Sequence, residues 1–91
     1  MKKLAPGFYE STEETFLNGE KQKVKCYLVY VPECRWWYFG VFKIDQNTNE
    51  EIGIITEGDS TYKRKREAIN SLQCCLKRGF KRYPSLGWAS A

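Results

Sequence analysis

From Trp36 to Ile44 the chain reads Trp-Trp-Tyr-Phe-Gly-Val-Phe-Lys-Ile, and neither alternating face of that run is polar. Side chains of a strand point alternately to opposite sides. Trp36, Tyr38, Phe42 and Ile44 therefore share one face, with Gly40 between them, while Trp37, Phe39 and Val41 share the other with Arg35 and Lys43. The run from Val24 to Val31 behaves the same way, setting Cys26, Leu28 and Tyr30 against Tyr27, Val29 and Val31. Aromatic and β-branched residues at this density favour strands. A sheet covered by a single helix needs only one apolar face. This chain offers two, so the second face is either covered by something or binds something.

The remaining segments supply the partners of these strands. Asn18-Gly19 lies between Thr12–Leu17 and the β-prone run, and Asn-Gly is a strong two-residue hairpin signal because a type I′ turn needs positive φ at both central positions. Strands are expected at about 13–17, 22–31, 36–44 and 51–56, with Pro32-Glu33-Cys34 and the polar stretch 46–50 as the breaks. A helix is expected from about Thr61 to Arg78, capped by Asp59 or Ser60 and stopped at Gly79. With Ile69 at the centre of its buried stripe, Tyr62, Leu72 and Leu76 fall within about 60° of it, and Ala68 and Cys75 lie on one flank. Short links between successive strands favour an antiparallel meander. The expected fold is a single α+β domain over residues 1–91, ββββα, a four-stranded antiparallel meander with one C-terminal helix on one face. Residues 1–10 and 83–91 read as irregular termini, with Trp88 a candidate to dock on the body.

Charge is distributed unevenly. Residues 63–82 hold eight basic residues and one acid, Glu67, a local charge of +7, while the rest of the chain carries −3, giving the net +4. Lys77, Arg78, Lys81 and Arg82 stand near the expected helix C-terminus, where the macrodipole favours cations. Lys63-Arg64-Lys65-Arg66 stands at the opposite end, where four cations oppose the dipole and repel one another. That conflict points to a polyanion or an acidic partner. The alternative is a solvated cluster neutralised within the molecule by Glu10, Glu13, Glu14, Glu57 and Asp59.

Several chemistries lack their residues. The chain has no His, hence no Ser-His or Cys-His dyad. It has no phosphate-cradling glycine loop and no Cys-x-x-Cys pair. The four cysteines, Cys26, Cys34, Cys74 and Cys75, read as free thiols, because Cys74 and Cys75 are neighbours that point about 100° apart on a helix. No apolar run approaches a membrane span and no hydrophobic stretch follows Lys2-Lys3, so the expectation is a cytoplasmic protein without membrane contact. No enzymatic activity, cofactor or metal is expected.

Residues 35–79 resemble the three-strand-plus-helix DNA-binding modules of the AP2 and integrase arm-binding type. The likeness rests on Trp36-Trp37-Tyr38 opening a strand, a polar turn, a strand containing Ile52-Gly53, and Tyr62-Lys63-x-Lys65-x-Glu67-Ala68 starting the helix. It implies a sheet laid in the major groove, with Arg35, Trp37 and Lys43 in contact with DNA. Taken with the basic run, the leading expectation is a nucleic-acid-binding accessory module for DNA or RNA. Lys63, Arg64, Lys65, Arg66 and Lys77 would meet phosphate, and Trp37, Phe39 and Tyr27 would stack or pack beside Arg35 and Lys43. The rival is a protein–protein inhibitor or adaptor of phage or plasmid type, engaging an acidic partner or pairing as a homodimer through the aromatic face.

Overall fold

A computed structural model describes residues 1–56 and 61–80. It contains five strands, β1 (Lys2–Ala5), β2 (Phe8–Leu17), β3 (Glu20–Val31), β4 (Trp36–Ile44) and β5 (Glu51–Thr56), followed by one helix, α1 (Lys65–Arg78). The strands form a single antiparallel sheet in chain order. The α+β meander with a C-terminal helix is as expected, with one strand more than the sequence suggested.

That extra strand corrects the reading of residues 1–10 as irregular. Pro6-Gly7 is a turn rather than a break: Gly7 adopts φ +73, and β1 pairs with the start of β2, Lys2 opposite Glu10 and Lys3 opposite Tyr9. Proline followed by a residue with positive φ is the signature of a tight turn. β1 escapes a pattern search because it is four residues long and exposed throughout, so it carries no apolar alternation. β2 is correspondingly longer than 13–17.

The hairpin between β2 and β3 is the one the sequence announces. Asn18 and Gly19 both take positive φ, 54 and 83, and Leu17 faces Glu20 across the turn. β3 ends at Val31, and the reversal that follows closes with Arg35 N–H donating to Val31 O at 2.8 Å. Between β4 and β5, the Asp45 carboxylate accepts from the backbone N–H groups of Asn47 (2.8 Å) and Thr48 (3.0 Å). Those bonds favour the charged form and hold the Asp45 carboxyl below its ordinary range. Gln46 reaches sideways and satisfies both backbone groups of Lys23, accepting from its N–H at 2.9 Å and donating to its carbonyl at 3.1 Å.

One face of the sheet holds the core. Leu17, Val24, Cys26, Leu28, Phe39, Val41, Ala68 and Leu72 are buried together, with Tyr9, Trp37, Ile55, Tyr62, Ile69, Cys75, Leu76 and Phe80 packed around them. The buried stripe of α1 is centred on Ala68 and Leu72, not on Ile69, which lies to one side. α1 begins at Lys65, four residues later than expected, because Tyr62 is engaged elsewhere. Tyr62 and Trp37 exchange backbone hydrogen bonds of 2.6 and 2.8 Å, an antiparallel bridge that adds Tyr62 to the edge of β4. Its hydroxyl shares a 2.6 Å hydrogen bond with Ser71. The proposed caps Asp59 and Ser60, and the tail with Trp88, lie outside the described residues.

The C-terminal end of α1 is tied down as well. Thr15, buried within β2, donates from its hydroxyl to Leu76 O at 2.7 Å. Phe80 N–H donates to Phe16 O at 2.8 Å and Asn18 N–H donates to Phe80 O at 3.0 Å. Gly79 makes this possible with φ +79 and a close approach: a Cβ there would sit 3.0 Å from Phe16 O and 3.1 Å from Phe16 Cβ. Gly79→Ala should therefore destabilise the fold by about 1–3 kcal/mol, through a disfavoured φ and displacement of β2. Urea unfolding followed by circular dichroism reads this as a lower midpoint at unchanged slope.

Candidate binding face

Pairing register fixes which side chains share a face. Tyr27 stands opposite Gly40, Val29 opposite Tyr38 and Lys25 opposite Phe42, while on the other side Phe8 stands opposite Val29 and Glu10 opposite Tyr27. These residues form the face turned away from α1. There Phe8, Tyr27, Val29, Tyr38, Gly40, Phe42 and Glu51 line a broad concavity of about 750 Å³. Its floor is the Gly40 backbone, because a glycine amid large residues leaves a hollow. Phe8 stacks on Tyr27 (centroids 5.5 Å, planes at 26°), and Tyr27 meets Phe42 edge to face (5.4 Å, 81°). Trp36, 40% exposed, continues this face at the start of β4, opposite Val31.

Two side-chain polar contacts are formed on this face. Tyr27 donates its hydroxyl hydrogen to the Glu51 carboxylate. Burial, and then this carboxylate, push the Tyr27 phenol well above the ordinary tyrosine value. Lys25 and Glu10 form an ion pair at 4.0 Å. Lys21, Lys23 and Lys25 alternate with the apolar positions of β3 on this same face, and Glu14 stands opposite Lys23.

The residues singled out in the sequence do not come together in one site. Trp37 and Phe39 lie on the helix-covered face. Phe39 is 4% exposed and belongs to the core, so its ring has no surface to offer. Trp37 packs against Tyr9 and Tyr30 at 6.1 and 5.1 Å between centroids. Lys43 stands opposite Val24, in the alternation of that same covered side, and Arg35 sits exposed in the β3–β4 turn. Of the three aromatics expected to stack, Tyr27 alone lines the open concavity, since its register groups it with Tyr38 and Phe42 rather than with Trp37 and Phe39.

The basic run belongs to the helix layer. Arg64 is the N-cap, and its backbone N–H donates to the Glu67 carboxylate at 3.2 Å, so the single acid of the segment caps the helix. Lys65 places its ammonium 3.7 Å above the Tyr9 ring, a cation–π contact that gives it a role within the fold. Lys63, Arg64 and Arg66 are exposed. Arg66 and Lys77 project from the same outward side, about 16 Å apart along the axis. The sheet separates this cluster from the aromatic concavity.

Sequence reasoning missed Phe8, Val29, Tyr38, Phe42 and Glu51 as site residues. A signal was present: Lys21, Lys23 and Lys25 share alternation with Tyr27 and Val29, whereas Val24, Cys26 and Leu28 alternate with Gln22. The lysine-bearing side of β3 is the side to expect facing water.

The thiols are free. Cys26 is buried, Cys34 and Cys74 are exposed, and Cys75 is half-buried beside Arg78. Burial, reinforced by the Glu13 charge, pushes the Cys26 thiol up from 9.0 to about 12. Among the described residues no group of His, Cys, Asp or Glu is arranged to hold a metal ion, and no helix is long and apolar enough to cross a membrane.

Cys26 and Tyr27 both hold their protons more tightly in the folded state than in the unfolded chain. The stability they contribute is complete below the unfolded values and is lost progressively as pH rises from there through the folded ones. The urea midpoint should stay nearly flat from about pH 6 to 8, since no His titrates, and fall from about pH 9 upward. Cys26→Ala should reduce that alkaline slope; an unchanged slope would mean that the thiol ionises freely in the fold.

No protein-family model, curated protein or solved structure matches this chain.

Proposed function

We propose that this protein is a non-catalytic protein-binding module that engages its partner through the open face of the sheet. The observation that carries this reading is the aromatic concavity over Gly40, on the face that α1 does not cover. A hollow walled by Phe8, Tyr27, Tyr38 and Phe42 offers large, rigid apolar area at little cost in side-chain entropy, as interface anchors do. The ion-paired Lys25–Glu10 rim suits a polar margin.

Nucleic-acid binding is the second reading, and the exposed cations Lys63, Arg64, Arg66 and Lys77 favour it. Its difficulty is geometric. A strand whose bases stacked in the concavity would leave the basic run on the far side of the sheet, and a strand bound to the basic run would find Trp37 and Phe39 beneath the helix. Any such contact would be a phosphate contact along the helix edge, salt-sensitive and indifferent to base.

The two readings separate in one set of measurements. Peptides selected from a random display library on the wild-type protein should lose at least about tenfold in affinity for Val29→Asp, which charges the concavity, and bind normally to a Lys63→Ala/Arg66→Ala variant. Fluorescence anisotropy with labelled DNA and RNA at low salt tests the alternative. Tight binding whose salt dependence flattens in Lys63→Ala/Arg66→Ala, with no effect of Val29→Asp, would overturn the protein-binding reading. Light scattering identifies the case in which the partner is a second copy.

A further inference from the structure

The concavity has a charge preference as well as a shape. Its walls include the rings of Phe8, Tyr27, Tyr38 and Phe42, whose π faces carry negative potential, and among the described residues that line it Glu51 is the one charged group. Glu10, the neighbouring carboxylate, pairs with Lys25. Glu51 is met instead by the neutral phenol of Tyr27, which holds the carboxylate in place without cancelling its charge. Donation from that hydroxyl also enriches the Tyr27 ring in electron density.

The rings stand at different angles around the Gly40 floor. Phe8 and Tyr27 are near-parallel, Phe42 is turned nearly perpendicular to Tyr27, and Tyr38 stands opposite Val29 among the lining residues. Walls in several orientations over a glycine floor, with a carboxylate at one edge, are the elements of an aromatic cage for an organic cation. The molecule already uses the same chemistry within its own fold, where the Lys65 ammonium sits 3.7 Å above Tyr9.

We propose that the open-face concavity is a cation-selective aromatic cage, and that the protein partner docks by inserting a lysine or N-methylated lysine side chain, its ammonium over the rings of Tyr27, Tyr38 and Phe42 and close to Glu51. This rests on the open face being the binding surface. It adds the chemistry of the anchor: the stem of the side chain contacts Phe8 and Val29 while the head replaces its hydration shell with π faces and one carboxylate.

The test uses three short peptides that differ at one position: lysine, trimethyllysine, and the uncharged carbon isostere of trimethyllysine. Titration into ¹⁵N-labelled protein should shift the amide signals of Gly40, Tyr38 and Phe42 with both cationic peptides. The neutral isostere should bind roughly tenfold more weakly, and Glu51→Gln should remove most of that difference. Gln can still accept from Tyr27, so the variant keeps its fold, which circular dichroism verifies. Equal affinity for cation and isostere would overturn the cage while leaving an apolar docking face standing. The same result would come from display-selected peptides that engage the face without enriching Lys or Arg. Absence of any peptide response at Gly40, Tyr38 and Phe42 would overturn both the cage and the docking face.

Discussion

Two backbone clamps decide the architecture of this molecule. At one end of α1, Tyr62 exchanges hydrogen bonds with Trp37 of β4; at the other, Phe80 bonds Phe16 and Asn18 around the β2–β3 turn. The helix is thus strung between two strands that flank β3. Its buried side chains, Ala68 and Leu72, join Cys26 and Leu28 in the core. A 14-residue helix isolated in water would be marginal. Here its ends are held by backbone bonds that no side-chain substitution removes directly, and Thr15 adds a buried hydroxyl bond to Leu76. Because the clamps fix which face is covered, they also fix which face is open.

The open face then follows from composition. Strands β3 and β4 are apolar on both sides, and one helix cannot cover both. Aromatic residues make the open side tolerable in water because they satisfy one another: Phe8 on Tyr27, Tyr27 against Phe42. Lysines on the same side of β3, and the carboxylates of β2 and β5, supply the polarity. The result is an apolar hollow inside a charge-balanced frame, quite unlike the uncompensated positive field expected from the +7 segment alone.

Much of the fold was legible because the signals were local. Asn18-Gly19 and Gly79 require positive φ, and both sit where the sequence put them. The strands of the central meander follow composition and alternation. β1 was illegible because an exposed four-residue edge strand has no pattern to read; only Pro6-Gly7 betrayed it. The helix start was misplaced because Tyr62 follows tertiary pairing with Trp37 rather than helix periodicity. The site was read less well, and for a related reason. Two-faced apolar strands do not say which face the helix takes, so Trp37 and Phe39 looked as available as Tyr38 and Phe42. Register resolves it: Tyr27 opposite Gly40 places Tyr27 with the residues two positions on either side of that glycine.

The cations at the helix start illustrate how an apparent functional signal divides once geometry is known. Four consecutive basic residues against a helix dipole form a conflict that an external anion, or acids within the molecule, would resolve. Within the fold, Glu67 caps the Arg64 backbone and Lys65 rests on Tyr9, so part of the conflict is answered internally. Lys63, Arg64 and Arg66 keep side chains facing water, available to a partner but distant from the rings that would read a base. By contrast, the open concavity joins its apolar walls, its hollow and its carboxylate within three adjacent strands, β3 to β5, and Phe8 of β2. A binding site gains specificity when different kinds of contact converge on one volume. In this molecule apolar walls, a hollow and a carboxylate converge beside Gly40, and that convergence, which the basic run lacks, is what supports the proposed docking face.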